Sequence, residues 1–426
     1  MTKIETHVSN IWLFLLPIVL PLYVVRFNIG PLPTTLLEIF VLLSFIGWLI
    51  IRFKEYSLTS LRNNTFLRRW MWPIIAWLVA TLIAVFIAPD KWAALGHWRA
   101  FMFEPILIFV MLGDLIPPPP LRVGTSLNKG GDLKPPLLKG EAKGELLYGI
   151  ATVCILLGLY SIFQYFTGWG IPSPWDVLPG RRATGIFGFP NGLSLFMAPF
   201  GIVCFIEWLR KIWDGETMAS RIFFLSAAAL AAVAEILAQS MGGLLALGIG
   251  FILALLINKH TRRVGLVMTI LGVIAAGIVG YKILGTQLRS TNLDDSLLLN
   301  KRWSSMVRTV IWQESWQVIK AHPLTGTGLR SYQTAIIPFH KATWMEIFPH
   351  PHNIVLMLWI ETGLLGLLAF VLLCATWVMA VKKNKNWIWI VPLVVILAHG
   401  MVDMPYFKND LALQFWILAA LASLAV

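Results

Sequence analysis

The sequence predicts an all-α, polytopic integral membrane protein with about twelve transmembrane helices. Hydrophobic residues make up 58% of the 426 residues, charged residues make up 13%, and the mean hydropathy is +0.75. A soluble domain is about 45–50% apolar and about 25% charged, so this chain has more apolar surface than a globular core can bury. Its apolar runs lack the two-residue alternation of barrel strands, which leaves helices as the spanning structure.

Each predicted helix is an apolar run near the ~20 residues that cross a bilayer. The runs are Ile11–Val25, Thr35–Ile51, Met71–Ala88, Phe101–Ile116, Leu146–Phe166, Asn191–Trp208, Ile222–Ala238, Met241–Ile257, Val264–Leu284, Asn353–Val381, Trp387–Met404 and Leu411–Val426. The first run is not followed by a small-residue cleavage site, so we expect it to be a retained helix and not a signal peptide.

The charges of the loops predict how these helices are oriented. With the N-terminus inside, the inner loops contain 20 Lys and Arg residues and the short outer loops contain six. Short loops rich in Lys and Arg stay in the cytoplasm, whereas long loops are translocated largely regardless of charge. We therefore expect both termini in the cytoplasm and the long loop before the tenth predicted helix on the outer face.

Two long loops divide the chain into five predicted segments. These are four helices in 1–116, a cytoplasmic low-complexity loop in 117–145, five helices in 146–284, a periplasmic loop domain in 285–352 and three helices in 353–426. The first loop opens with four consecutive prolines and is predicted to be disordered. In the second loop, the apolar spacing of Lys301–Ala321 predicts an amphipathic helix that ends at His322-Pro323.

Arginines at the predicted outer surface are the first candidate site residues. Arg182 precedes the helix that starts at Asn191, and Arg308 lies in the amphipathic helix on the same face as Trp312. Arg302 and Arg330 flank Arg308 along the chain. A guanidinium stays charged and presents a fork of donors that fits phosphate oxygens. From the residues alone, a solvated or membrane-anchoring role explains Arg182 and Arg308 equally well.

Two histidines, His350 and His352, form the second candidate site, with Asn353, just before the tenth predicted helix. An imidazole titrates near neutral pH and can take a proton from an attacking hydroxyl. Two His residues can also bind a metal, but Glu346 is the nearest acid and no Cys completes such a site, so we predict no metal. Interfacial histidines without a role are the alternative.

Polar residues inside the predicted helices form the third set. His399 and Asp403 are four residues apart, which predicts that they share one face of the eleventh helix. Glu361 lies inside the tenth predicted helix. Ionisable groups in lipid are costly, and a functional role is the first hypothesis for them. Structural hydrogen bonds between helices are the alternative.

Four stretches of the chain together resemble the O-antigen ligase and O-antigen polymerase family. They are Gly180–Asn191, Arg308–Trp312 with Pro323–Gly328, His350–Asn353 with Glu361–Gly366, and His399–Asp403. Each stretch is short, but their order and the long outer loop make the set more specific. The resemblance covers roughly Leu146 to the C-terminus. Ser240-Met241 departs from it, because family members often have Ser-Arg there.

The resemblance implies an inverting, metal-independent glycosyltransferase in the bacterial cytoplasmic (inner) membrane, with its active site on the periplasmic side. Such an enzyme takes a glycan from a polyprenyl-pyrophosphate donor and moves it to a hydroxyl acceptor on lipid A-core, on another glycan or on a protein. It implies no cofactor and no nucleic-acid partner. The expected catalytic residues are His352 as general base, with Arg308 and Arg182 at the departing pyrophosphate. The expected substrate-binding residues are Arg302, Arg330, His350, Asn353, Asp403 and Glu361.

Two other functions are open at this point. A transporter or flippase of lipid-linked oligosaccharide would also place arginines near a phosphate, but it predicts charged residues along a path between the two faces. A membrane scaffold would need no combination of Arg and His at one surface. The polar candidates cluster at the predicted outer face, which favours the enzyme.

Overall fold

The structure, a computed structural model, describes residues 3–30, 32–55, 64–116, 138–274, 296–342 and 344–424. In these ranges the α-helices are α1 Lys3–Val19, α2 Leu36–Glu55, α3 Thr65–Ile87, α4 Lys91–Trp98, α5 Glu104–Leu115, α6 Leu138–Thr167, α7 Pro190–Trp213, α8 Met218–Ala238, α9 Met241–Ile257, α10 262–274, α11 Ser296–Ala321, α12 Tyr332–Ile336, α13 Ile354–Asn384, α14 Val391–Gly400 and α15 Asn409–Leu424. Short 3₁₀ turns follow α1 (Leu20–Val24) and α12 (Ile337–Phe339) and precede α14 (Trp387–Ile390), and a π turn (Arg99–Phe103) joins α4 to α5.

Seven of the described helices are long and apolar enough to cross a membrane. They are His7–Val24, Thr65–Ile87, Lys91–Leu115, Ala142–Thr167, Pro190–Trp213, Met218–Ala238 and Ile354–Asn384. Shorter apolar helices lie at Leu36–Ile51, Met241–Ile257, Trp387–Gly400 and Asn409–Leu424. The predicted class, a helical polytopic membrane protein, is confirmed. The count of about twelve spans and their orientation stay predictions, since the ninth predicted helix is described over 262–274 alone.

One small sheet departs from the all-α prediction. Arg26–Ile29 pairs antiparallel with Leu32–Thr35 in the loop between α1 and α2, with Arg26 opposite Thr35. Gly30 turns the chain between them with a φ of 60°. That conformation has little steric cost for glycine. Hydropathy alone does not reveal this hairpin, because it is short and lies outside the apolar runs.

Several helices extend beyond the bounds that the sequence predicts, among them α6 and the helix that α4 and α5 form together. Helix α6 begins at Leu138, inside the loop predicted to be disordered, and 117–137 lie outside the described residues. Helix α4 precedes α5, so the fourth span begins at Lys91 and not at Phe101. Side chains with polar atoms at both helix starts lower the local hydropathy, which shortens a span predicted from apolar content.

Helix α15 lies at the centre of the bundle, and all of its residues are buried. The Trp416 ring lies 4.9 Å from the Phe109 ring of α5 and 5.9 Å from the Trp70 ring of α3, measured between centroids. Apart from Asn409, Asp410, Gln414 and Ser423, this helix is apolar on all sides, which is typical of a helix that is buried on every side. The core of the protein therefore forms around this helix.

Helix α13 is interrupted at Gly363, where the loop after α11 packs against it. Gly363 has φ 66° and ψ −175°, which opens the helical hydrogen-bond ladder. The loop uses the opening, because Thr327 N donates to Ile360 O at 2.7 Å and Leu364 N donates to Leu324 O at 3.1 Å. These bonds hold the loop that contains the candidate site against the helix bundle.

Candidate active site

His352 lies at the start of α13 in a strained backbone conformation. Its φ is +49°, and the next residue, Asn353, is the N-cap of the helix. Positive φ at a residue other than glycine costs about 1–3 kcal/mol and persists where surrounding contacts impose it. The imposing contact here comes from α11, where Trp312 Nε1 donates to Pro351 O at 2.9 Å. The backbone on both sides of His352 is thus fixed by contacts of the neighbouring residues.

Asp403 faces this imidazole from the loop after α14. His352 Nδ1 lies 3.4 Å from Asp403 Oδ1. The carboxylate also accepts from Asn191 Nδ2 at 2.6 Å and from Met404 N at 2.9 Å. A carboxylate beside Nδ1 favours the tautomer with Nδ1 protonated, which leaves the lone pair on Nε2. The pair therefore has the arrangement of a general base and its orienting acid.

Helix α14 ends at Gly400, so the prediction that His399 and Asp403 share a helix face is wrong. The chain turns at Met401 and Val402, and Asp403 enters the site from the loop. His399 still lies close enough to act electrostatically on Asp403, as do His350 and His352. Burial alone would raise the pKa of Asp403, but the contact with His352 and the nearby imidazoles hold that pKa well below its usual range.

His350 packs edge-on against His352, with ring centroids 4.3 Å apart. Burial and, to a smaller extent, the neighbouring His352 lower the pKa of His350 to about 4. A second imidazolium next to His352 is therefore disfavoured near neutral pH. His350 Nδ1 is buried without a hydrogen-bond partner among the described residues.

Arg182 reaches the same place from the loop between α6 and α7. Its Nε donates to Ala238 O at 2.8 Å, and its Nη2 faces Asn191 Oδ1 at 3.3 Å and Gln239 O at 3.4 Å. The guanidinium also lies 4.9 Å from the centre of the Trp175 ring. Burial and the nearby charge of Arg308 both lower the pKa of Arg182. The two arginines are therefore neighbours.

Arg308 comes from α11, one helical turn before Trp312. Its Nη1 donates to Ser304 Oγ at 2.8 Å, and its Nε is buried without a described partner. The two guanidiniums repel each other, and that of Arg308 has an unused donor. An oxyanion bound between them would be stabilised by both charges and by that donor.

Asn191 connects the arginine to the histidine, and the sequence analysis does not name it as a site residue. Its Oδ1 faces Arg182, and its Nδ2 donates to Asp403. We call Arg182, Asn191, Arg308, His352 and Asp403 the Arg–His cluster. The position of Asn191 inside the Gly180–Asn191 stretch is the one sequence signal for it.

Lys408 is a second residue that the sequence analysis misses. Its Nζ lies 4.5 Å from the centre of the Tyr23 ring, 5.2 Å from that of Phe187 and 5.0 Å from that of Phe189. It lies 3.9 Å from Asp410 Oδ1. Burial lowers the pKa of Lys408, against the opposing effects of Asp410 and of Asp403. Lys408 thus adds positive charge beside the Arg–His cluster.

Other predicted site residues lie elsewhere or have structural contacts. Asn353 caps α13 by accepting from Val355 N and Leu356 N, and it donates to Met401 O at 3.0 Å, so its amide is already used within the protein. Glu361 is buried beneath the turn at Arg330 and accepts from Tyr332 N at 3.4 Å. Arg330 is exposed and is an electrostatic neighbour of Glu361. The side chain of Arg302 lies outside the described part of the chain.

Comparison with known proteins shows a similarity over part of the chain. Residues 226–371 match the family model described as O-antigen ligase, a range that includes Arg308, His350 and His352. This match confirms the predicted resemblance to the O-antigen ligase family.

Individual relatives agree with the family match. The chain is 24% identical over 254 residues to an uncharacterized protein of Haemophilus influenzae, covering 57% of this chain and 60% of that protein. It is 21% identical over 253 residues to a protein of Rickettsia felis, covering 58% and 57%, and 27% identical over 269 residues to one of Rickettsia bellii, covering 55% and 64%. Both Rickettsia proteins carry the name "Putative polysaccharide ligase". The match thus spans less than two thirds of each relative.

Proposed function

We propose that this protein is a membrane glycosyltransferase that moves a glycan from a polyprenyl-pyrophosphate donor to a hydroxyl acceptor. The acceptor is lipid A-core, another glycan or a protein, and the reaction takes place on the outer face of the bacterial cytoplasmic membrane. The observation that carries the proposal is the convergence of Arg182, Arg308 and the His352–Asp403 pair at one site. The polysaccharide-ligase names of the Rickettsia relatives support a glycan substrate.

His352 acts as the general base in the proposed reaction. Nε2 takes the proton of the acceptor hydroxyl while that oxygen bonds to the anomeric carbon of the glycan. The bond from this carbon to the pyrophosphate oxygen breaks, so the configuration inverts and the polyprenyl pyrophosphate leaves with the electron pair. Asp403 holds the reactive tautomer and stabilises the imidazolium that forms. A general base typically contributes about 10²–10⁴-fold in rate.

Arg182 and Arg308 stabilise the leaving group in this mechanism. Negative charge builds up on the pyrophosphate as the glycosidic bond breaks, and donors already in place lower the energy of that state most. Because Ala238 O, Gln239 O and Asn191 hold Arg182, its guanidinium needs little reorganisation. The Arg pair thereby supplies the positive charge that a metal ion supplies in other transferases.

Reconstitution of the purified protein tests the proposal. A labelled polyprenyl-pyrophosphate glycan is incubated with candidate acceptors, and the labelled product is identified. We expect transfer by the wild type and none by His352→Ala, with His260→Ala as a matched control, because His260 stacks on Trp213 away from the Arg–His cluster. Full transfer by His352→Ala would contradict the base role. Movement of the labelled donor across a vesicle membrane without transfer would support a flippase instead.

A further inference from the structure

His350, His352 and Asp403 form a compact set of side chains that can ligate a metal. One ligand atom from each lies within 4.8 Å of the other two. Within the described ranges, this is the one group of three or more His, Cys, Asp or Glu residues with that spacing. No third ligand lies near the two histidines along the chain, but the fold supplies one from Asp403.

The contact between His352 and Asp403 has the length expected between two ligands of a tetrahedral transition-metal ion. Zinc bonds of about 2.0–2.2 Å in a tetrahedral site place neighbouring ligand atoms roughly 3.3–3.6 Å apart. The contact between His352 Nδ1 and Asp403 Oδ1 is already 3.4 Å. His350 supplies the second nitrogen and the third ligand atom, and its Nδ1 is buried with no described hydrogen-bond partner. A buried nitrogen without a partner costs free energy that a bound cation would recover.

The ligand types select among metals. Two imidazoles and one carboxylate suit Zn²⁺, Co²⁺, Ni²⁺ or Cu²⁺, whereas Mg²⁺ and Ca²⁺ prefer oxygen ligands throughout. Three protein ligands also leave one tetrahedral position open for water.

We propose that His350, His352 and Asp403 bind Zn²⁺ or a similar transition-metal ion, and that this ion inhibits the enzyme. The inhibitory half rests on the proposed function, whereas the binding half does not. A metal on His352 Nδ1 displaces the proton from that nitrogen and leaves the neutral ring protonated at Nε2. Nε2 then has no lone pair with which to accept the proton of the acceptor hydroxyl. The metal also occupies the Asp403 oxygen that orients the ring.

Metal binding is measured first, on the purified full-length protein without substrate. Isothermal titration with Zn²⁺ should show one site per chain, and Co²⁺ should give the visible absorption of a tetrahedral complex. His350→Gln and Asp403→Asn should each weaken binding by at least about 10–100-fold, the loss typical even of groups that only support a ligand. His340→Gln is the control. His340 contacts Glu314 and lies outside this group, so the substitution should leave the Zn²⁺ affinity unchanged.

The outcomes separate the two halves of the proposal. The absence of saturable Zn²⁺ binding, or equal affinity in the wild type and both ligand variants, would overturn the site whether or not glycan transfer is observed. Gel filtration and the melting temperature show whether each variant is folded. With transfer established, added Zn²⁺ should abolish it, excess EDTA should restore it and Mg²⁺ should have no effect. A rise in transfer on adding Zn²⁺ would overturn the inhibitory role.

Discussion

Replacing Asp403 by Asn tests how the proposed base is held, because both carboxylate oxygens already accept hydrogen bonds. Oδ1 accepts from Met404 N and faces His352 Nδ1, while Oδ2 accepts from Asn191 Nδ2. The new amide NH₂ group must therefore face a donor in either orientation. The less costly orientation keeps the oxygen toward His352 and forces the Asn191 amide to turn, which places an NH₂ group toward Arg182. One substitution thus disturbs both the base and the arginine.

The size of the effect follows from the type of bond that is lost. A hydrogen bond to a charged group is worth about 1.5–3 kcal/mol, and each 1.4 kcal/mol changes a rate about tenfold. Asp403 is 3% exposed, so solvent does not screen the lost charge. We therefore expect kcat to fall about 10–150-fold in Asp403→Asn, with little change in KM for the donor. That is a smaller loss than the roughly 10²–10⁴-fold expected for removing the base itself.

A double-mutant cycle with His352→Ala shows whether the two residues act together. If Asp403 works through His352, the double variant should be no slower than His352→Ala, because groups that act as a unit are not additive. Steady-state transfer assays on the four proteins, each checked by gel filtration for folding, give the answer. Wild-type kcat in Asp403→Asn, or losses that multiply in the double variant, would refute the reasoning.

Four further predictions concern the arginine pair, metals, the loop after α11 and the interruption of α13. Arg308→Lys should lower transfer about 10²–10³-fold, because a point charge cannot replace the fork of donors, and full activity would exclude the leaving-group role. EDTA should not reduce transfer, and a loss that Mg²⁺ restores would contradict a metal-independent reaction. The bond to Glu314 raises the pKa of His340, so this pair should stabilise the loop below about pH 6.5 and lose that contribution as the pH rises through the raised value. Hydrogen-exchange protection factors of 337–342, corrected for the intrinsic pH dependence of exchange, that do not change with pH in the wild type, or that are equal in His340→Gln, would contradict this. Gly363→Ala should lower the free energy of unfolding by at least about 1–2 kcal/mol, measured by thermal melting, because φ is +66° there.

Matched controls are available for these variants. Arg181→Lys is the control for Arg308→Lys, since Arg181 donates to the carbonyl oxygens of Tyr165 and Asp176 and takes no part in the Arg–His cluster. Gly248→Ala is the control for Gly363→Ala, because an added Cβ at Gly248 meets nothing within 4 Å. A control as impaired as its partner variant would show that the effect is not specific to the site.

Local signals in the sequence were sufficient to predict most of the helices. Helix α9 begins at Met241 and ends at Ile257, as predicted, because Gln239 ends α8 in a left-handed conformation and Ser240 caps the next helix. The start of α4 could not be predicted in this way, since Lys91–Trp98 contains polar side chains that mask a helix continuing into α5.

The candidate site was predictable in its residue types but not in its connections. Arginines beside a span and histidines before another are visible in the sequence. The contact from Asn191 to Asp403 joins residues 212 positions apart, and no local pattern reveals it. The contact between Asp403 and His352 could not be predicted either, because α14 ends at Gly400 and Asp403 lies in the loop that follows. Long-range packing of helices, which a single sequence does not encode locally, decides both contacts.

The buried position of α15 has a consequence for biosynthesis. Translation proceeds from the N-terminus, so Trp70 and Phe109 enter the lipid long before Trp416 leaves the ribosome. Until then, the place that α15 will fill must be occupied by lipid or closed by a temporary arrangement of the earlier helices. Helix α15 is therefore inserted between partners that are already in the bilayer. A nascent chain stalled before residue 409 should expose this vacant interior to membrane chaperones and proteases.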